Sequence, residues 1–511
     1  MKNVRSFLLR RGLMYYFIMI LLFSFGLAKV LDEGKHLQNH GWNQLNSVSE
    51  YNIEPSLHGA EHNSSFSGIF IEGPLRELSQ NLSNPLSIAL FQIIIIISFS
   101  RIFSYLMRQV GQPAVIGEIL AGIFLGPSLL GTLFPEAWAA TFPLSSIGNL
   151  HSISTIGLSL FMFIIGIELD IKLLNRRIQT ALFVSHASIV VPFFMGVVLA
   201  YYLYSGFAQG GTSFLTFSLF MGVSMSITAF PVLARIIQER GLSKTSLGVM
   251  AITCAATDDI TAWCILAVVI AIAKAGDISS AILTLSLATV YVLLMLKLVK
   301  PMLLKMSRIM SHPDGQVSRS FIALAIISLL SSAFVAEIIG IHALFGAFLA
   351  GVTMPQDEKI RETLRNKIED VSLLLFLPIF FAYTGLRTQI GLLMSDGLWK
   401  ICALVIACAV AGKVFGTLLA ARLMGQSWKN SFSLGALMNT RGLMELVVLN
   451  IGYDLGIITP AMFVVLVLMA VFTTLMTGPF LTLIDRIWPD RQTDVKTGIA
   501  GNPTGRLATA D

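Results

Sequence analysis

Two adjacent carboxylates lie in the middle of a long apolar stretch. Asp258 and Asp259 are near the centre of residues 247–273, which are long and apolar enough to span a bilayer as a helix. An aspartate at the centre of a membrane helix costs about 2.5–3.5 kcal/mol on insertion scales, so the pair requires a partner charge, water or a bound cation. Successive helical residues point about 100° apart, so the two carboxylates face different neighbours. The sequence favours one carboxylate on a fixed partner and one on an aqueous cavity, and a purely structural pair is the alternative.

A single lysine is the candidate partner for one of these carboxylates. Lys413 is an isolated cation in the apolar residues 397–424. It is too deep in that segment for its ammonium group to reach the membrane surface comfortably. It therefore needs a buried anion. We predict that Lys413 is the charge partner of Asp258, and that Asp259 is left to bind a monovalent cation or a proton.

Polar residues interrupt two other apolar segments. Residues 226–231 place hydroxyls and Pro231 at mid-membrane depth, and residues 438–445 place Gly442 and several polar side chains at similar depth. Proline removes a backbone hydrogen bond and frees a carbonyl group. Broken backbone at membrane depth is tolerated where it is buried in protein or lines a cavity, and a pair of interrupted helices is typical of the ion site of a transporter. Ordinary helix kinks are the alternative interpretation.

The interrupted segments supply further candidate site residues. Thr228 and the backbone near Ala229 offer neutral oxygen ligands, which suit a hard cation such as Na+ or Li+. Arg441 and Glu445 are four residues apart and can pair on one helix. The predicted set has no catalytic residue. It consists of the cation- and proton-binding residues Asp258, Asp259 and Thr228, the charge partner Lys413, and the structural or gating residues Pro231, Asn439, Arg441 and Glu445.

Composition places these residues in a multi-pass membrane protein. The 511-residue chain is 55% hydrophobic and 13% charged, with net charge +6, and its mean hydropathy is +0.77. These values exclude an ordinary soluble domain. Basic residues in such a chain mark cytoplasmic loops, so the net charge does not indicate nucleic-acid binding. The four cysteines all fall in apolar segments without metal-ligand spacing, and no cofactor is expected.

About thirteen apolar segments follow one another from residue 86 onward. They are predicted at 86–107, 114–131, 150–169, 178–204, 213–238, 246–273, 278–300, 319–338, 340–356, 371–389, 397–424, 429–452 and 457–485. The Lys/Arg-rich connections follow the odd-numbered segments, so by the positive-inside rule these run inward and the C-terminus is cytoplasmic. We expect an integral, multi-pass protein of the cell (inner) membrane.

The regions outside these segments define the predicted domain organisation. Residues 1–30 read as a signal peptide or a signal anchor, and residues 31–85 as a polar extracytoplasmic arm. Residues 86–485 form the transmembrane domain, and residues 486–511 form a short cytoplasmic tail without a nucleotide-binding motif. Glu118, Glu168 and Arg387 lie near segment ends and are interpreted as interface or packing charges.

The chain resembles the monovalent cation:proton antiporter-2 family of Na+/H+ and K+/H+ exchangers. Stretches in order along the chain carry this resemblance: QPAVIGEI (112–119) with LGP (125–127), FIIGIELD (163–170), TAFPVLAR (228–235), LPIFFA (377–382) and NTRGLMEL (439–446). The resemblance implies an all-α fold of two inverted repeats with crossed broken helices. It further implies a scaffold of segments 1–3 and 8–10, a mobile core of segments 4–6 and 11–13, and a homodimer in lipid. Several members carry a neutral residue where this chain has Asp258.

The predicted function is secondary active antiport rather than enzyme catalysis. A monovalent cation, with Na+ or Li+ favoured, exchanges for protons by an elevator-type movement around Asp258 and Asp259, and the paired carboxylate with Lys413 resembles electrogenic members. The nearest alternative is K+/H+ exchange. A Na+-coupled solute symporter and a gated cation channel remain open, and an intramembrane enzyme lacks its usual aspartate motifs.

Overall fold

The computed structural model describes residues 2–41, 81, 84–168, 178–242, 245–275, 278–310, 317–394 and 397–489. Within these ranges the regular elements are helices, and one isolated bridge joins Ala208 to Ile458. The first part of the chain forms α1 (Lys2–Gly41), α2 (Pro85–Gln109), α3 (Ala114–Leu125), α4 (Leu130–Leu133), α5 (Pro135–Thr141), α6 (Leu144–Glu168), α7 (Ile178–Phe207), α8 (Phe214–Ser226), α9 (Phe230–Glu239) and α10 (Ser246–Ala275).

The second part of the chain is also helical. It forms α11 (Ile278–Leu294), α12 (Lys300–Ile309), α13 (Arg319–Ile339), α14 (Ala343–Thr353), α15 (Glu358–Val371), α16 (Leu377–Leu386), α17 (Leu398–Leu423), α18 (Trp428–Met438), α19 (Leu443–Asp454) and α20 (Pro460–Ile487). Single π-helical turns, Met295–Val299 and Ser372–Phe376, connect α11 to α12 and α15 to α16, and a 3₁₀ turn, Ile390–Met394, follows α16.

The predicted all-helical, multi-pass architecture is confirmed. In the described ranges, 11 helices are long and apolar enough to cross a membrane, and the number is 12 if the bent pair α18–α19 counts as one span. The count of thirteen full-length spans is not reached, because the predicted segment 340–356 forms only the 11-residue helix α14. A span needs about 20 residues, so α14 alone is short for one.

Two boundaries differ from the predicted segments. The tenth span begins at Glu358 rather than 371, because Asp357 caps α15 by accepting from the amides of Lys359 and Ile360. The charged surface of α15 hides this helix from a search for apolar residues. Near the N-terminus, α1 continues to Gly41, beyond the expected boundary at residue 30, and Phe23 packs edge-on against Phe194 of α7. The signal or anchor role stays a prediction, and most of the 31–85 arm and of the 486–511 tail lies outside the described residues.

Most of the helices, apart from α1, α11 and α12, pack in two groups. The first, which we call the scaffold group, contains α2–α6 and α13–α16. Close helix crossings hold it together: a Cβ at Gly122 of α3 would lie 2.2 Å from the carbonyl oxygen of Phe381 in α16, and one at Gly166 of α6 would lie 2.2 Å from that of Phe348 in α14. Glycine at such points lets membrane helices touch through their backbones. The second, the core group, contains α7–α10 and α17–α20.

The two interrupted helices meet inside the core group. One break separates α8 from α9 at residues 227–229, and the other separates α18 from α19, which are bent by 42°. The backbone N–H of Ala229 donates to the carbonyl oxygen of Thr440 at 2.9 Å, so the breaks are in direct contact. Pro231 lies in the first turn of α9, where its missing N–H leaves no helical hydrogen bond unmade. The proline therefore starts the second half-helix rather than kinking a continuous one.

Candidate functional site

Four donors surround the carboxylate of Asp258, which is completely buried. Ser185 Oγ donates to its Oδ1 at 2.5 Å, and Ser188 Oγ donates to its Oδ2 at 2.7 Å. Thr228 Oγ1 lies 2.8 Å from the same Oδ2, and Lys413 Nζ lies 3.2 Å from it. These contacts hold the carboxylate in one position. Asp258 is therefore the carboxylate with a fixed partner.

The ammonium group of Lys413 uses all of its donors. Lys413 Nζ donates to the carbonyl oxygen of Ser188 at 2.9 Å and to that of Ser226 at 2.5 Å, in addition to its contact with Asp258. The side chain is 0% exposed. A buried ion pair is tolerated when its remaining donors and acceptors are satisfied, and this one meets that condition.

A second buried cation, Arg441, binds the end of the first half-helix. Its Nη1 donates to the carbonyl oxygen of Ser224 at 2.6 Å, and its Nη2 donates to that of Met225 at 2.5 Å. Together with the bond from Lys413 to Ser226, the last three carbonyls of α8 are bound by two cations. The C-terminal end of a helix carries unsatisfied carbonyls and a partial negative charge, so this arrangement stabilises a helix end inside the membrane.

Arg441 also pairs with Glu445, and both side chains are 0% exposed. Arg441 Nη1 donates to Glu445 Oε2 at 2.9 Å. Glu445 lies in the first turn of α19, where a carboxylate favourably meets the helix N-terminus. Asn439 caps the end of α18, and its buried Oδ1 has no hydrogen-bond partner among the described residues. These residues hold the second break together.

Asp259 differs from its neighbour because no described residue donates a hydrogen bond to it. It is 2% exposed, and neither of its oxygens accepts a hydrogen bond from a described residue. The backbone amide of Phe230, at the start of α9, lies near the carboxylate without hydrogen-bond geometry. Asp259 faces a cavity of about 10 Å³, enough for one water molecule. The cavity is lined by Ile227, Asp259, Ala262, Trp263, Leu266, Met444 and Val448.

The ionisable side chains of this site carry a net negative charge when all of them are ionised. The five buried ionisable side chains described above are three carboxylates (Asp258, Asp259 and Glu445) and two basic groups (Lys413 and Arg441). With all of them ionised, the sum is one negative charge. Because charge in a low-dielectric interior is costly, one monovalent cation or one proton stabilises the site by neutralising it.

The remaining predicted site residues lie either beside Asp258 or at the two breaks. Thr228 contacts Asp258 and the carbonyl oxygen of Met438 at 3.1 Å, rather than Asp259. Its part as a cation ligand stays a prediction. Pro231 and Asn439 lie at the two breaks, and the break residue Ile227 lines the cavity beside Asp259.

Sequence reasoning missed the two serines on α7. Ser185 and Ser188 are one helical turn apart on an otherwise apolar helix, and this spacing was the available signal. Glu118 lies near the start of its span, and its role as an interface or packing charge stays a prediction. Glu118 is the fifth residue of α3, is 7% exposed, and its Oε2 has no hydrogen-bond partner among the described residues. Glu168 ends α6 and pairs with Arg365 of α15 at 3.6 Å, as an interface charge does.

Gly442 provides a test of the backbone geometry at the second break. Its φ is +156°, and a Cβ there would lie 2.9 Å from Val232 Cγ2 of α9. We expect Gly442→Ala to destabilise the protein by about 1–3 kcal/mol, because the added methyl strains the backbone and presses on the other broken helix. Thermal unfolding of the purified protein measures this. Gly206→Ala, at the end of α7 with nothing within 4 Å, is the matched control. Equal melting temperatures for the two variants would contradict the geometry described here.

Comparison with known proteins agrees with the fold. Residues 75–484 match the family model described as sodium/hydrogen exchanger, transmembrane. The chain is 43% identical over 411 residues to the Na(+)/H(+) antiporter NhaS4 of Synechocystis, covering 80% of this chain and 98% of that protein. It is 33% identical over 422 residues to the K(+)/H(+) antiporter 1 of Saccharomyces cerevisiae, covering 81% of this chain and 48% of the yeast protein.

A plant relative and a solved structure extend this comparison. The Cation/H(+) antiporter 19 of Arabidopsis thaliana is 38% identical over 424 residues, covering 81% of this chain and 52% of the plant protein. This chain therefore spans about half the length of its plant and yeast relatives. The sodium proton antiporter MjNhaP1 of Methanocaldococcus jannaschii has the same fold, with a TM-score of 0.57 at 14% identity over 79% of this chain and 100% of that one. The resemblance drawn from the sequence motifs is confirmed, and the chain belongs to the sodium/hydrogen exchanger family of secondary transporters.

Proposed function

We propose that this protein exchanges Na+ or Li+ for protons across a membrane, by alternating access of the site around Asp258 and Asp259. Membership of the family establishes monovalent cation/proton antiport as the class of activity, and it excludes enzyme catalysis as the primary function. The observation that carries the finer proposal is the buried, unpartnered carboxylate of Asp259 beside the saturated pair Asp258–Lys413. Asp259 is the residue that binds the cation.

Competition between the two ions follows from this arrangement. A carboxylate without a partner in a low-dielectric site binds either a proton or a cation more favourably than it remains charged and empty. The cavity beside it has room for about one water molecule, so an ion that takes this place must shed most of its hydration shell. Oxygen ligands compensate a hard cation such as Na+ or Li+ for that loss.

Electrogenic exchange depends on Lys413. If Asp258 turns toward the bound cation, the lysine loses its only anionic contact among the described residues. Burial then favours the neutral amine, and a second proton leaves the site. Two protons against one monovalent cation move net charge in each cycle. This coupling requires the Asp258–Lys413 pair to open during transport.

The movement that alternates access is proposed for the core group. Both half-helix pairs and all five buried charges belong to that group, so it can move as one unit past the scaffold group. A core neutralised by a cation or by protons crosses the membrane more readily than a charged one. We further propose that the protein is a homodimer in the cell (inner) membrane. The loop charges favour an orientation with the C-terminus in the cytoplasm.

K+/H+ exchange is the second candidate. The yeast relative is named a K(+)/H(+) antiporter, while the cyanobacterial one is named a Na(+)/H(+) antiporter. Cation selectivity therefore distinguishes the two candidate functions.

Sealed proteoliposomes with an imposed pH gradient test the proposal. Na+, Li+ and K+ are added separately while the lumenal pH is followed, with valinomycin to set the membrane potential for Na+ and Li+ and without it for K+. We expect Na+ and Li+ to dissipate the gradient, at a rate that depends on potential, and protein-free liposomes to remain unresponsive. Equal dissipation by K+ would move the protein to the second candidate. No cation-dependent proton movement by folded protein would reject antiport.

A further inference from the structure

A polar cluster joins the scaffold and core groups at the side predicted to be outer. Arg387 follows the last residue of α16 in the scaffold group. Its Nη1 donates to Asn450 Oδ1 of α19 at 3.1 Å, and its Nη2 makes an ion pair with Asp454 at the end of α19. The guanidinium carbon also lies 4.8 Å from the ring centre of Tyr383 in α16 and 4.6 Å from that of Tyr453 in α19. One arginine is thus held by a tyrosine from each group.

Two further contacts bind the same turn of α19 to the scaffold group. Asn450 Nδ2 donates to Thr384 Oγ1 of α16 at 2.8 Å. Asp454 Oδ2 lies 4.0 Å from His151 Nε2 of α6, and the His151 ring stacks on Tyr383 with centroids 5.0 Å apart. The end of α19 therefore engages both α6 and α16.

This cluster lies on the helix that forms part of the cation site. α19 begins directly after Gly442 at the second break, and Met444 and Val448 of α19 line the cavity beside Asp259. The cluster at Asn450, Tyr453 and Asp454 is at the far end of the same short helix. A shift of the core group against the scaffold group displaces this helix past α16, so it must break these contacts.

We propose that Arg387, Asn450, Tyr453 and Asp454 form an outer clasp that stabilises the docked arrangement of the scaffold and core groups, and whose opening is a step of the transport cycle. The proposal rests on the moving core of the proposed function. Interactions of a half-buried arginine with a carboxylate and two aromatic faces are stronger together than an exposed ion pair. The side-chain exposures are 19% for Arg387 and 36% for Asp454.

A second ion pair between the scaffold and core groups is longer and more exposed than the one in the outer clasp. Lys274, near the end of α10, lies 3.9 Å from Glu337 of α13, with side-chain exposures of 36% and 52%. Nothing stacks on this pair among the described ring contacts, and pairs of such length and exposure contribute little. The outer clasp is thus the contact whose removal shifts the equilibrium between docked and displaced cores.

A distance measurement between the groups tests the clasp directly. Gly148, near the start of α6, and Gly210, in the loop between α7 and α8, are exposed, and neither has an atom within 4 Å of an added Cβ. Cysteines at these two positions, in full-length protein whose four native cysteines are replaced, carry spin labels on the scaffold and core groups. Double electron–electron resonance then reports the population at each separation, independently of transport activity.

We expect one dominant separation with the native clasp, and a second population increased by about two- to tenfold in Arg387→Ala and in Asp454→Asn, the range for losing interactions of this kind. Arg365→Ala is the control, since it removes ion pairs within the scaffold group only. The reversed pair Arg387→Asp with Asp454→Arg should restore part of the dominant population. Unchanged distributions in both single variants, with folded protein, would overturn the clasp. A shifted distribution in a protein without cation/proton exchange would retain the clasp and reject the proposed function instead.

Discussion

Asp259→Asn is expected to abolish cation/proton exchange while leaving the fold intact. The amide has nearly the shape of the carboxylate, but it carries no charge for a cation to neutralise and accepts no proton at ordinary pH. Because Asp259 has no hydrogen-bond partner among the described residues, its replacement breaks no contact that holds the core. We therefore expect a melting temperature at least equal to that of the native protein, together with loss of the Na+- or Li+-driven pH change in proteoliposomes.

The matched control changes the same functional group elsewhere in the core group. Asp485 of α20 is 61% exposed and pairs with Lys429 at 3.3 Å. Asp485→Asn should exchange at close to the native rate. Normal exchange by Asp259→Asn would show that the cation binds elsewhere, and Asp258 would become the next carboxylate to test.

Lys413→Ala is expected to lower the stability of the protein by about 3–5 kcal/mol, the usual cost of removing one partner from a buried ion pair. The loss leaves Asp258 completely buried with three hydroxyl contacts and no cation, and it frees the carbonyls of Ser188 and Ser226. Thermal unfolding of purified protein measures the effect. The same variant should lose the dependence of exchange on membrane potential, because the second proton of the proposed cycle comes from Lys413.

Two further variants separate this pairing from a general effect of losing a lysine. Lys429→Ala breaks a partly exposed pair and should change stability by only about 0–1 kcal/mol. Adding Asp258→Asn to Lys413→Ala removes the uncompensated charge and should recover part of the lost stability. Native stability and native voltage dependence in Lys413→Ala would refute the pairing proposed between Lys413 and Asp258 in transport.

The sequence identified the charged residues of the site because the membrane makes them conspicuous. An ionised side chain in an apolar segment needs a buried partner, so Asp258, Asp259 and Lys413 could be singled out without any structure. The two breaks were visible for a similar reason, since Pro231 and the polar residues 438–445 interrupt otherwise regular apolar runs. In both cases a charged, polar or helix-breaking residue within an apolar segment was a sufficient signal.

Contacts between distant segments could not be predicted in this way. The capping of α8 by Arg441 joins residues more than 200 positions apart, and it depends on how the two breaks cross. The placement of Thr228 on Asp258 rather than Asp259 likewise depends on the rotation of one helix against another. The outer clasp includes Arg387, which the sequence suggested only as an interface or packing charge. Lengths of α14 and α15 were missed because hydropathy reports apolar surface and not helix ends.

A cation and a proton are expected to compete for the carboxylate of Asp259. Purified protein in a weakly buffered solution, with a pH indicator, measures this without any membrane or gradient. Adding Na+ or Li+ should release protons from the native protein and from Asp485→Asn, whereas Asp259→Asn should release none. Cation binding by the native protein without proton release, or equal release from Asp259→Asn, would contradict competition at Asp259.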